Sequence, residues 1–502
     1  MFKSGGPVVV QSNEEIQTVN TRVCTTALGL FLLSVVPARA QAPDSVAGLL
    51  PNLILNGIRL DAGIPVPHDA HFTPLNELYV GTDPRSGQAF RIDAAEVVLN
   101  FNRLLATQFA TFPLGNSSGA FSFRTDESTG LPVRNTRSFG PSFGERTLTV
   151  GKGRISTGFS YQRTTFDSFE GEDLDNGAIQ FVLPHNDCCP AQVGLQATGD
   201  GNLLNPGFES DVVTVRVSLR ASTDTAAFFA TYGVTDRWDV AIAVPFTRVD
   251  LEASAAAEIV RLGTAFQPHV HTFETGHDVS KKTFTDARSA SGIGDIVLRT
   301  KYNLRQQGAQ GLAATFDLRL PTGDEDNLLG TGAAQGRLGL VVSTGTDSFA
   351  QHFNVGYTFS GKTDVATYIG DDPDLAAALL PTDSPPDELN FNAGLEFAVS
   401  DRVTLLGDFV GRTLRNVGRL DMGERTFPYS PQGQPVLTPA LESPSFREFQ
   451  ARTGTLTLGL VAFGAKLNVG SRALLAGHVL VPVTEGGLRS RVTTTLGFEY
   501  TF

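Results

Sequence analysis

The chain has 502 residues, with 39 Lys and Arg against 52 Asp and Glu, and therefore carries a formal net charge of −13. An isoelectric point of about 5.1 and the lack of a basic stripe argue against nucleic acid as a partner. The mean hydropathy of −0.03 is too low for a polytopic helical membrane protein. Outside the N-terminus, no apolar run approaches the roughly 18 residues that a spanning helix needs. The 3 cysteines are too few for a disulfide scaffold.

The N-terminus carries a pattern typical of export. Residues 24–36 read CTTALGLFLLSVV, a short apolar run that follows Arg22 and precedes Ala38-Arg39-Ala40. An apolar run that ends at an A-x-A pattern is typical of a cleaved signal peptide. A buried core helix is the weaker alternative, because the segment after the run is rich in Pro and Asp. We predict that residues 1–40 are a signal peptide, cleaved after Ala40.

The last segment of the chain alternates between two faces. Residues 491–502 read RVTTTLGFEYTF, in which Leu496, Phe498, Tyr500 and Phe502 share one face. This period-two alternation indicates a strand with one apolar face. An exported bacterial chain that ends in this way resembles an outer-membrane barrel, and we assign the assembly signal to Phe498, Tyr500 and Phe502. A half-buried strand in a soluble β-sandwich is the alternative.

The same alternation recurs along the chain, in residues 213–219, 238–246, 295–304, 352–359 and 389–399. These segments are close to the roughly 9–11 residues that a tilted membrane strand needs. In lipid every backbone polar group must be paired, so such strands have to close into a barrel. The predicted fold class is therefore all-β, a transmembrane antiparallel β-barrel.

The lengths of the predicted connections support this fold. If the C-terminus is periplasmic, the turns on the periplasmic side are short, namely 235–237, 305–310, 346–348, 400–402 and 468–471. The connections on the outer side are long, namely 253–292, 321–335, 361–388 and 412–454. Short periplasmic turns and long outer loops are the rule for membrane barrels. A soluble sandwich has no reason to sort its connections in this way.

The number of strands depends on how the N-terminal part of the barrel is divided. From residue 211 onward, twelve strands begin near 211, 225, 238, 294, 312, 336, 349, 389, 403, 456, 472 and 491. Residues 155–165 and 177–183 raise the number to about 14 in a barrel that spans 151–502. Twelve strands are the alternative, because a count of 14 places the long connection 184–210 on the periplasmic side.

Residues 41–150 do not alternate cleanly and form a separate predicted region. Within 93–109, Val97, Phe101 and Leu105 belong to apolar residues that recur every three or four positions, which predicts a helix. A barrel of this size has a lumen that must be watery or plugged. We predict that 41–150 is an N-terminal plug or periplasmic lid that contains a short helix. A flexible periplasmic leader is the alternative.

Charged residues occupy the inward positions of the predicted strands. Charges inside a membrane barrel are tolerated only where the lumen is wet or where they pair with each other. They form either an electrostatic lining that selects solutes or a structural ladder of ion pairs that fills the lumen. Arg299, Lys301, Arg319 and Arg337 would form a basic patch, partly neutralised by Asp295 and Asp317. The candidate lumen-lining residues are Arg216, Arg220, Arg299, Lys301, Arg319, Arg337, Asp295, Asp317, Glu396, Asp408 and Glu499.

Metal and cofactor sites are not predicted. One predicted loop holds a cluster of metal-competent residues, namely His269, His271, Glu274, His277 and Asp278. Their spacing matches no known zinc pattern, so a solvated loop is the better interpretation.

Two cysteines are adjacent in the sequence, and common catalytic motifs are absent from it. Cys188 and Cys189 are adjacent in a chain that is predicted to enter an oxidising compartment. A strained disulfide between these two residues and a disulfide between two chains are the alternatives. The sequence contains no G-x-S-x-G around a serine, no P-loop and no H-E-x-x-H. We therefore predict that the protein is not an enzyme.

Three segments resemble a known family. They read YGVTDRWDVAIAVP (232–245), GIGDIVLRTKY (292–302) and LRLPTGD (318–324). Together they resemble the outer-membrane transporters of the phenol meta-pathway degradation family, over roughly 211–502. That family is similar in architecture to the long-chain fatty-acid channel, which implies uptake of hydrophobic or aromatic compounds. The resemblance supplies no individual site residues.

The predicted function is an outer-membrane channel or transporter for passive uptake of small hydrophobic or aromatic solutes, in a Gram-negative envelope. The alternative is a non-transporting outer-membrane barrel with a structural, adhesive or lipid-hydrolysing role. Lipid hydrolysis would need a His and a Ser at the lipid face; His352 and His478 lie on predicted strands, but no matching Ser motif is found. The expected partners are outer-membrane lipid, the barrel-assembly machinery, periplasmic chaperones and a small-molecule solute.

Overall fold

The computed structural model describes residues 45–58, 60, 93–111, 113, 121–125, 128, 132–184, 211–262, 271–274, 276–362, 384–427, 444–470 and 472–502. The predicted signal peptide 1–40 with its cleavage after Ala40, the Cys188–Cys189 pair and His269 lie outside these residues.

The described residues before the barrel include two helices. A short π-helix spans Pro51–Asn56, and the α-helix α1 spans Asp93–Ala110. The helix predicted over 93–109 is confirmed, whereas the role of 41–150 as a plug or lid stays a prediction. No helix in the described part of the chain is long and apolar enough to cross a membrane.

The rest of the described chain is dominated by strands. They are β1 (Phe123–Thr125), β2 (Pro132–Arg134), β3 (Ile155–Phe169), β4 (Glu172–Asp173), β5 (Ile179–Pro184), β6 (Val212–Thr235), β7 (Trp238–Val260), β8 (Lys281–Ile293), β9 (Ile296–Gln307), β10 (Gln310–Leu320), β11 (Gln335–Gly345), β12 (Phe349–Ser360), β13 (Glu388–Ala398), β14 (Val403–Thr426), β15 (Ser445–Gly470), β16 (Ala473–Pro482), β17 (Leu488–Ser490) and β18 (Thr493–Thr501).

Twelve of these strands close into an antiparallel barrel. Its cyclic order is β3, β6, β7, β9, β10, β11, β12, β13, β14, β15, β16 and β18, and β3 pairs with both β6 and β18. The strands β4, β5, β8 and β17 attach outside this cycle. The predicted all-β barrel is confirmed. The predicted number of 14 strands is wrong, and the alternative of 12 fits.

The difference in strand number comes from β6. The strands predicted near 211 and 225 are the single 24-residue strand β6, and the predicted strand 177–183 is β5, which pairs with β6 outside the cycle. Within β6 the apolar residues change from odd to even positions, and in the sequence this change looks like a strand boundary. Because the two predicted strands are one, the ends of β5 and β6 that 184–210 connects lie at the end of the barrel with the long loops, and not at the periplasmic end as the count of 14 implied.

The short connections all lie at one end of the barrel, which we call the turn end. They join β6 to β7, β9 to β10, β11 to β12, β13 to β14 and β15 to β16, as predicted. At the opposite end, the loop end, the predicted loops 253–292 and 412–454 are wrong in extent. Strands β7 and β8 extend into the first, and β14 and β15 extend into the second, so that these strands rise above the rest of the barrel.

The outer face of the barrel is apolar over the half nearer the turn end. Leu496, Phe463 and Leu338 are 65%, 62% and 59% exposed. At the turn end Trp238 pairs with Tyr302, and the Trp238 Nε1–H donates to Thr300 Oγ1 at 2.7 Å. Exposed apolar side chains with aromatic residues at the rim are typical of a surface that contacts lipid.

Beyond this apolar belt, towards the loop end, the polarity of the strands reverses. Val215 and Val217 on β6 face inward and are fully buried, while Arg216 and Arg220 face outward with side chains 60% and 71% exposed. The prediction that Val213–Leu219 faces lipid is therefore wrong, as is the placement of Arg216 and Arg220 in the lumen. The physical reason is that this part of β6 lies outside the belt, where the exterior polar face suits water and the apolar face packs on a core.

That core closes the loop end of the barrel interior. Residues of α1 such as Phe101 and Leu105 share one buried cluster with Leu251 of β7 and Phe449 of β15. The ring of Phe101 meets Phe169 of β3 edge-on, with centroids 4.4 Å apart. The apolar face of α1 predicted from the sequence is thus the face that packs against the tall strands.

Removal of Phe502 is expected to impair barrel assembly. The Phe502 N–H donates to the Ile155 carbonyl at 2.8 Å, where β18 meets β3 and the barrel closes. The measurement is the fraction of protein that reaches the heat-modifiable form on a gel after expression. Leu496→Ala is the matched control, because it removes a lipid-facing side chain from the same strand but keeps the backbone pairing. Equal assembly of the deletion variant and the unaltered protein would contradict the assignment of the assembly signal.

Candidate functional site

The segment 139–150, here the lumenal segment, crosses the barrel interior and is anchored by inward-facing side chains. Lys466 of β15 donates from Nζ to the carbonyls of Phe139, Gly140 and Pro141 at 3.3, 3.0 and 2.9 Å. Because the ammonium group is buried, these three carbonyls replace its hydration. Lys466 therefore fixes the beginning of the lumenal segment to the wall.

The next contacts of the lumenal segment are made by Ser142. Its N–H donates to Asp408 Oδ2 of β14 at 3.1 Å, and its hydroxyl is hydrogen-bonded to Nε2 of His478 on β16. The ring of Phe143 then meets the ring of His478 edge-on, with centroids 5.8 Å apart. Asp408, predicted as a lumen-lining residue, thus faces inward and binds backbone.

Glu145 is the main charged contact between the lumenal segment and the wall. Its carboxylate pairs with the guanidinium of Arg299 and lies 3.5 Å from Nζ of Lys301, both on β9. Its backbone is held as well: the Glu145 N–H donates to Asn354 Oδ1 at 2.6 Å, and Asn354 Nδ2 donates back to the Glu145 carbonyl at 2.9 Å. All four side chains are buried or half-buried.

Lys301 also binds the backbone of the lumenal segment. Its Nζ donates to the carbonyls of Arg146 and Leu148 at 3.3 and 2.8 Å, and lies 3.9 Å from Asp239 Oδ2 on β7. Asp239 in turn accepts the Val150 N–H at 3.1 Å. Lys301 is therefore a structural anchor and faces the segment rather than open solvent.

Arg146 of the lumenal segment is completely buried in the interior. Burial lowers the pKa of its guanidinium, while the carboxylates of Glu396 on β13 and Glu499 on β18 raise it. Gly140 has a φ of 75°, and a Cβ added there would lie 3.2 Å from Arg146 Nε. The turn at Gly140 therefore requires glycine, both for its backbone conformation and for the arginine packed against it.

The end of the interior near the turn end is filled by an apolar layer. Phe121 and Phe139 pack edge-on with centroids 5.5 Å apart, against Leu474 of β16. The guanidinium carbon of Arg134 lies 4.5 Å from the centroid of Phe139, and burial lowers the pKa of Arg134 to about 10. Arg134 also donates to the Arg137 carbonyl at 2.6 Å.

The predicted basic patch is a ladder of ion pairs. Asp317 of β10 lies opposite Arg299 on one neighbouring strand and Arg337 on the other. Arg299 donates to both carboxylate oxygens of Asp317 at 2.6 and 2.8 Å, and Arg337 Nη2 lies 2.8 Å from Oδ2. With Glu145 beside Arg299, this row combines both signs of charge, as the structural alternative of the sequence analysis expected.

Asp295 is not part of this ladder, contrary to the prediction. Its carboxylate accepts the Gly323 N–H at 3.1 Å, and the N–H and hydroxyl of Thr331 at 2.9 and 2.8 Å. All three bonds go to the connection between β10 and β11 at the loop end. Asp295 lies in the interruption between β8 and β9, so it orders a loop instead of neutralising the patch.

A buried hydrogen-bond chain joins three neighbouring strands. Ser343 Oγ lies 2.8 Å from His352 Nδ1, and His352 Nε2 lies 2.9 Å from Glu396 Oε1. Ser343 also accepts the Thr147 N–H of the lumenal segment at 3.0 Å. The combination resembles a hydrolytic triad in residue types, but all three side chains face the filled interior and not the lipid, so it holds the lumenal segment.

A cavity of about 180 Å³ lies between the lumenal segment and the C-terminal end of α1. Its floor includes Phe143 and Glu145, and its roof includes Thr111 and Pro113. Inward-facing side chains from β6 round to β14 form the wall. They are Phe229, Ala241, Ala243, Val297, Arg299, Asp317, Arg319, Gln335, Arg337, Asn354, Thr358, Glu388, Asn390, Asn392, Val410 and Arg412.

Two arginines connect the cavity wall to its roof. Arg319 Nη1 donates to the Ala110 carbonyl at 2.6 Å. Arg412 Nη1 donates to the Thr111 carbonyl at 3.4 Å and also to the Thr111 hydroxyl. Cations at the C-terminal end of a helix satisfy its last carbonyls and interact favourably with the helix dipole. Arg412 also pairs with Glu388 at 3.5 Å.

The structure thus brings most of the predicted lumen-lining residues into the barrel interior. Of the eleven, Arg216 and Arg220 face outward, and Asp295 binds the connection between β10 and β11. Glu499 faces inward near the turn end, where it accepts a hydrogen bond from the Ser156 hydroxyl at 2.7 Å. Lys466 and Arg412 were missed, although the alternation of their strands places both inward. Glu145 was missed because it precedes the barrel and no periodicity marks it.

The predicted cluster of metal-competent residues is dispersed. His271 Nδ1 lies 2.7 Å from Asp211 Oδ2, with both side chains fully buried, and Asp278 pairs with Arg261 at 2.5 Å. Glu274 and His277 are exposed. In the part of the chain that the structure describes, no group of three or more His, Cys, Asp or Glu side chains could hold a metal ion.

One family model matches the chain. The family described as "Putative MetA-pathway of phenol degradation" matches residues 195–413. The three segments quoted in the sequence analysis lie within this match, and the resemblance that they indicated is confirmed. The match ends within β14, whereas the resemblance was expected to extend to residue 502. No curated protein matches the chain.

Several solved structures are similar to the chain. An outer-membrane channel from Pseudomonas putida F1 is 12% identical, with a TM-score of 0.37, over 71% of this chain and 98% of the other. The monoaromatic hydrocarbon channel CymD is 10% identical, with a TM-score of 0.32, over 70% and 89% of the two chains. The toluene transporter TbuX from Ralstonia pickettii is 11% identical, with a TM-score of 0.27, over 71% and 92%.

Lys466→Met is expected to lower the free energy of unfolding by about 3 kcal/mol, because three buried carbonyls of the lumenal segment lose a charged donor. A denaturant titration in detergent micelles measures this change. Lys281→Met is the matched control, since Lys281 pairs with Glu258 at 2.9 Å but is 70% exposed, and we expect a change within about 0.5 kcal/mol. Equal effects of the two substitutions would show that Lys466 is not an anchor.

Proposed function

We propose that the protein is an outer-membrane channel for the passive uptake of small solutes, hydrophobic or aromatic, and that residues 41–150 act as its plug. The observation that carries the proposal is a closed barrel with a lipid-type exterior and an internal cavity between two parts of the N-terminal region. Because the lumenal segment fills the barrel interior, solutes and ions can pass only if this segment moves. Transport therefore depends on the lumenal segment leaving its position against the wall.

The exterior of the barrel supports insertion in the outer membrane. The apolar belt has the strand length that a bilayer requires, because β10, β11 and β13 each have 11 residues. The tall strands beyond the belt carry charged residues outside and apolar residues inside, which suits an aqueous space. We therefore assign the turn end to the periplasm and the loop end to the cell exterior.

The family match supports transport of an aromatic solute. The family description refers to phenol degradation, a pathway that consumes a small aromatic compound. A cavity that combines Phe143, Phe229 and Val297 with polar side chains fits a small molecule of this kind. Adhesive and purely structural roles give no reason for a cavity inside the barrel.

Glu145→Gln is expected to increase the single-channel conductance in planar lipid bilayers. The substitution removes the charge that pairs with Arg299 and Lys301, so the lumenal segment is held less tightly. The control is Glu252→Gln, which removes an exposed carboxylate that lies 3.6 Å from Arg220 outside the barrel. If Glu252→Gln changes the conductance as much as Glu145→Gln does, the lumenal segment is not the gate.

The test of the proposed function is conductance of the unaltered protein, recorded with and without phenol. Discrete current steps that phenol reduces are expected, because the solute and the ions share one path. A protein that inserts into the bilayer but gives no current, and whose liposomes take up no phenol, would overturn the proposal.

The assigned orientation predicts which connections an antibody can reach. An epitope tag in the β12–β13 connection, within 361–387, is expected to be accessible on intact cells. A tag after Gly308, in the β9–β10 turn, is expected to be accessible only after the outer membrane is opened. Flow cytometry before and after permeabilisation measures both, and the opposite pattern would invert the topology.

A further inference from the structure

We propose that the cavity between α1 and the lumenal segment is a binding site for a small aromatic carboxylate, whose anionic group contacts Arg319. This inference rests on the proposed channel function and narrows its substrate class. It concerns binding within the described cavity, so it can be tested separately from conduction.

The charges that line the cavity favour an anion. Four arginines, Arg299, Arg319, Arg337 and Arg412, face three carboxylates, those of Glu145, Asp317 and Glu388. The lining therefore carries one net positive charge when all groups are ionised. A single carboxylate on the ligand would balance this charge, whereas a neutral hydrocarbon would remove water from the site and leave the surplus charge uncompensated.

Arg319 supplies the surplus charge. The other three arginines each form an ion pair with a carboxylate in the lining. Arg319 forms none with any residue in the described part of the chain, and its hydrogen bond to the Ala110 carbonyl uses one of five N–H donors. A guanidinium with several remaining donors is suited to a carboxylate, which it can bind through two parallel hydrogen bonds.

The same cavity has an apolar side. Phe229 of β6, Ala241 and Ala243 of β7, and Val297 of β9 come from neighbouring strands, while Arg319 comes from β10. The lining thus changes from apolar to cationic along the wall. A ligand with a ring at one end and a charge at the other would satisfy both parts.

The size of the cavity agrees with a ring of this kind. The cavity measures about 180 Å³, and an apolar protein cavity of about 150 Å³ is known to hold benzene. The volume therefore fits a single aromatic ring with one small substituent.

Benzoate is the probe for this site, measured by isothermal titration calorimetry with the full-length protein in detergent. The unaltered protein is expected to bind benzoate at least about tenfold more tightly than benzyl alcohol, which keeps the ring, or acetate, which keeps the charge. Arg319→Gln is expected to weaken benzoate binding by about tenfold or more. Arg163→Gln, at an arginine 62% exposed on the outside of the barrel, is the matched control and should leave the affinity unchanged.

A second variant keeps the test decisive if Arg319→Gln does not reach the heat-modifiable form. Phe229→Ala leaves every charge in place, so it is expected to weaken benzoate binding while the weak binding of acetate stays the same. Equal affinity of benzoate and benzyl alcohol, or benzoate binding that neither substitution weakens, would overturn the inference. In that case phenol-sensitive conductance would still support the channel. The absence of both current and phenol uptake would overturn the channel function, and with it the role in uptake that this inference gives to the cavity.

Discussion

The pairing of Glu145 with Arg299 and Lys301 is the interaction on which the interior of this barrel depends. It joins a segment that precedes the barrel to a strand of the wall, through charges that are buried from water. Removing one partner of a buried pair typically costs about 3–5 kcal/mol, because the other charge is left without compensation. The floor of the cavity, the position of Phe143 and the pairing of Lys301 with backbone carbonyls all follow from this one attachment.

The surroundings of each strand decide which of its faces is apolar. At the level of the apolar belt, most inward-facing side chains of the strands are polar and the outward-facing ones are apolar, because lipid lies outside. Near the loop end the order is reversed, because water lies outside and α1 packs inside. The single strand β6 follows both rules. Its odd-numbered residues face inward along the whole strand, and they are apolar near the loop end but mostly small or polar near the turn end.

This reversal explains what the sequence could predict. Alternation located the strands and gave the outward orientation of Leu496 and Phe353, because lipid imposes a simple pattern. Alternation gave the wrong orientation for Arg216. The segment around Arg216 alternates equally well, but its outer face contacts water and not lipid. Inward charges could be recognised one strand at a time, whereas their partners could not: Glu145 lies far from Arg299 in sequence, and only the closed barrel brings them together.

The chain enters the barrel wall directly from the lumen, and this has a consequence for the order of assembly. Gly151, with a φ of 98°, and Gly233 allow the close approach at which the lumenal segment passes into β3. β3 also pairs with β18, and this pairing closes the barrel. The lumenal segment therefore has two routes into the interior: it either takes its place before β3 pairs with β18, or it passes through one end of the barrel after the two strands have paired.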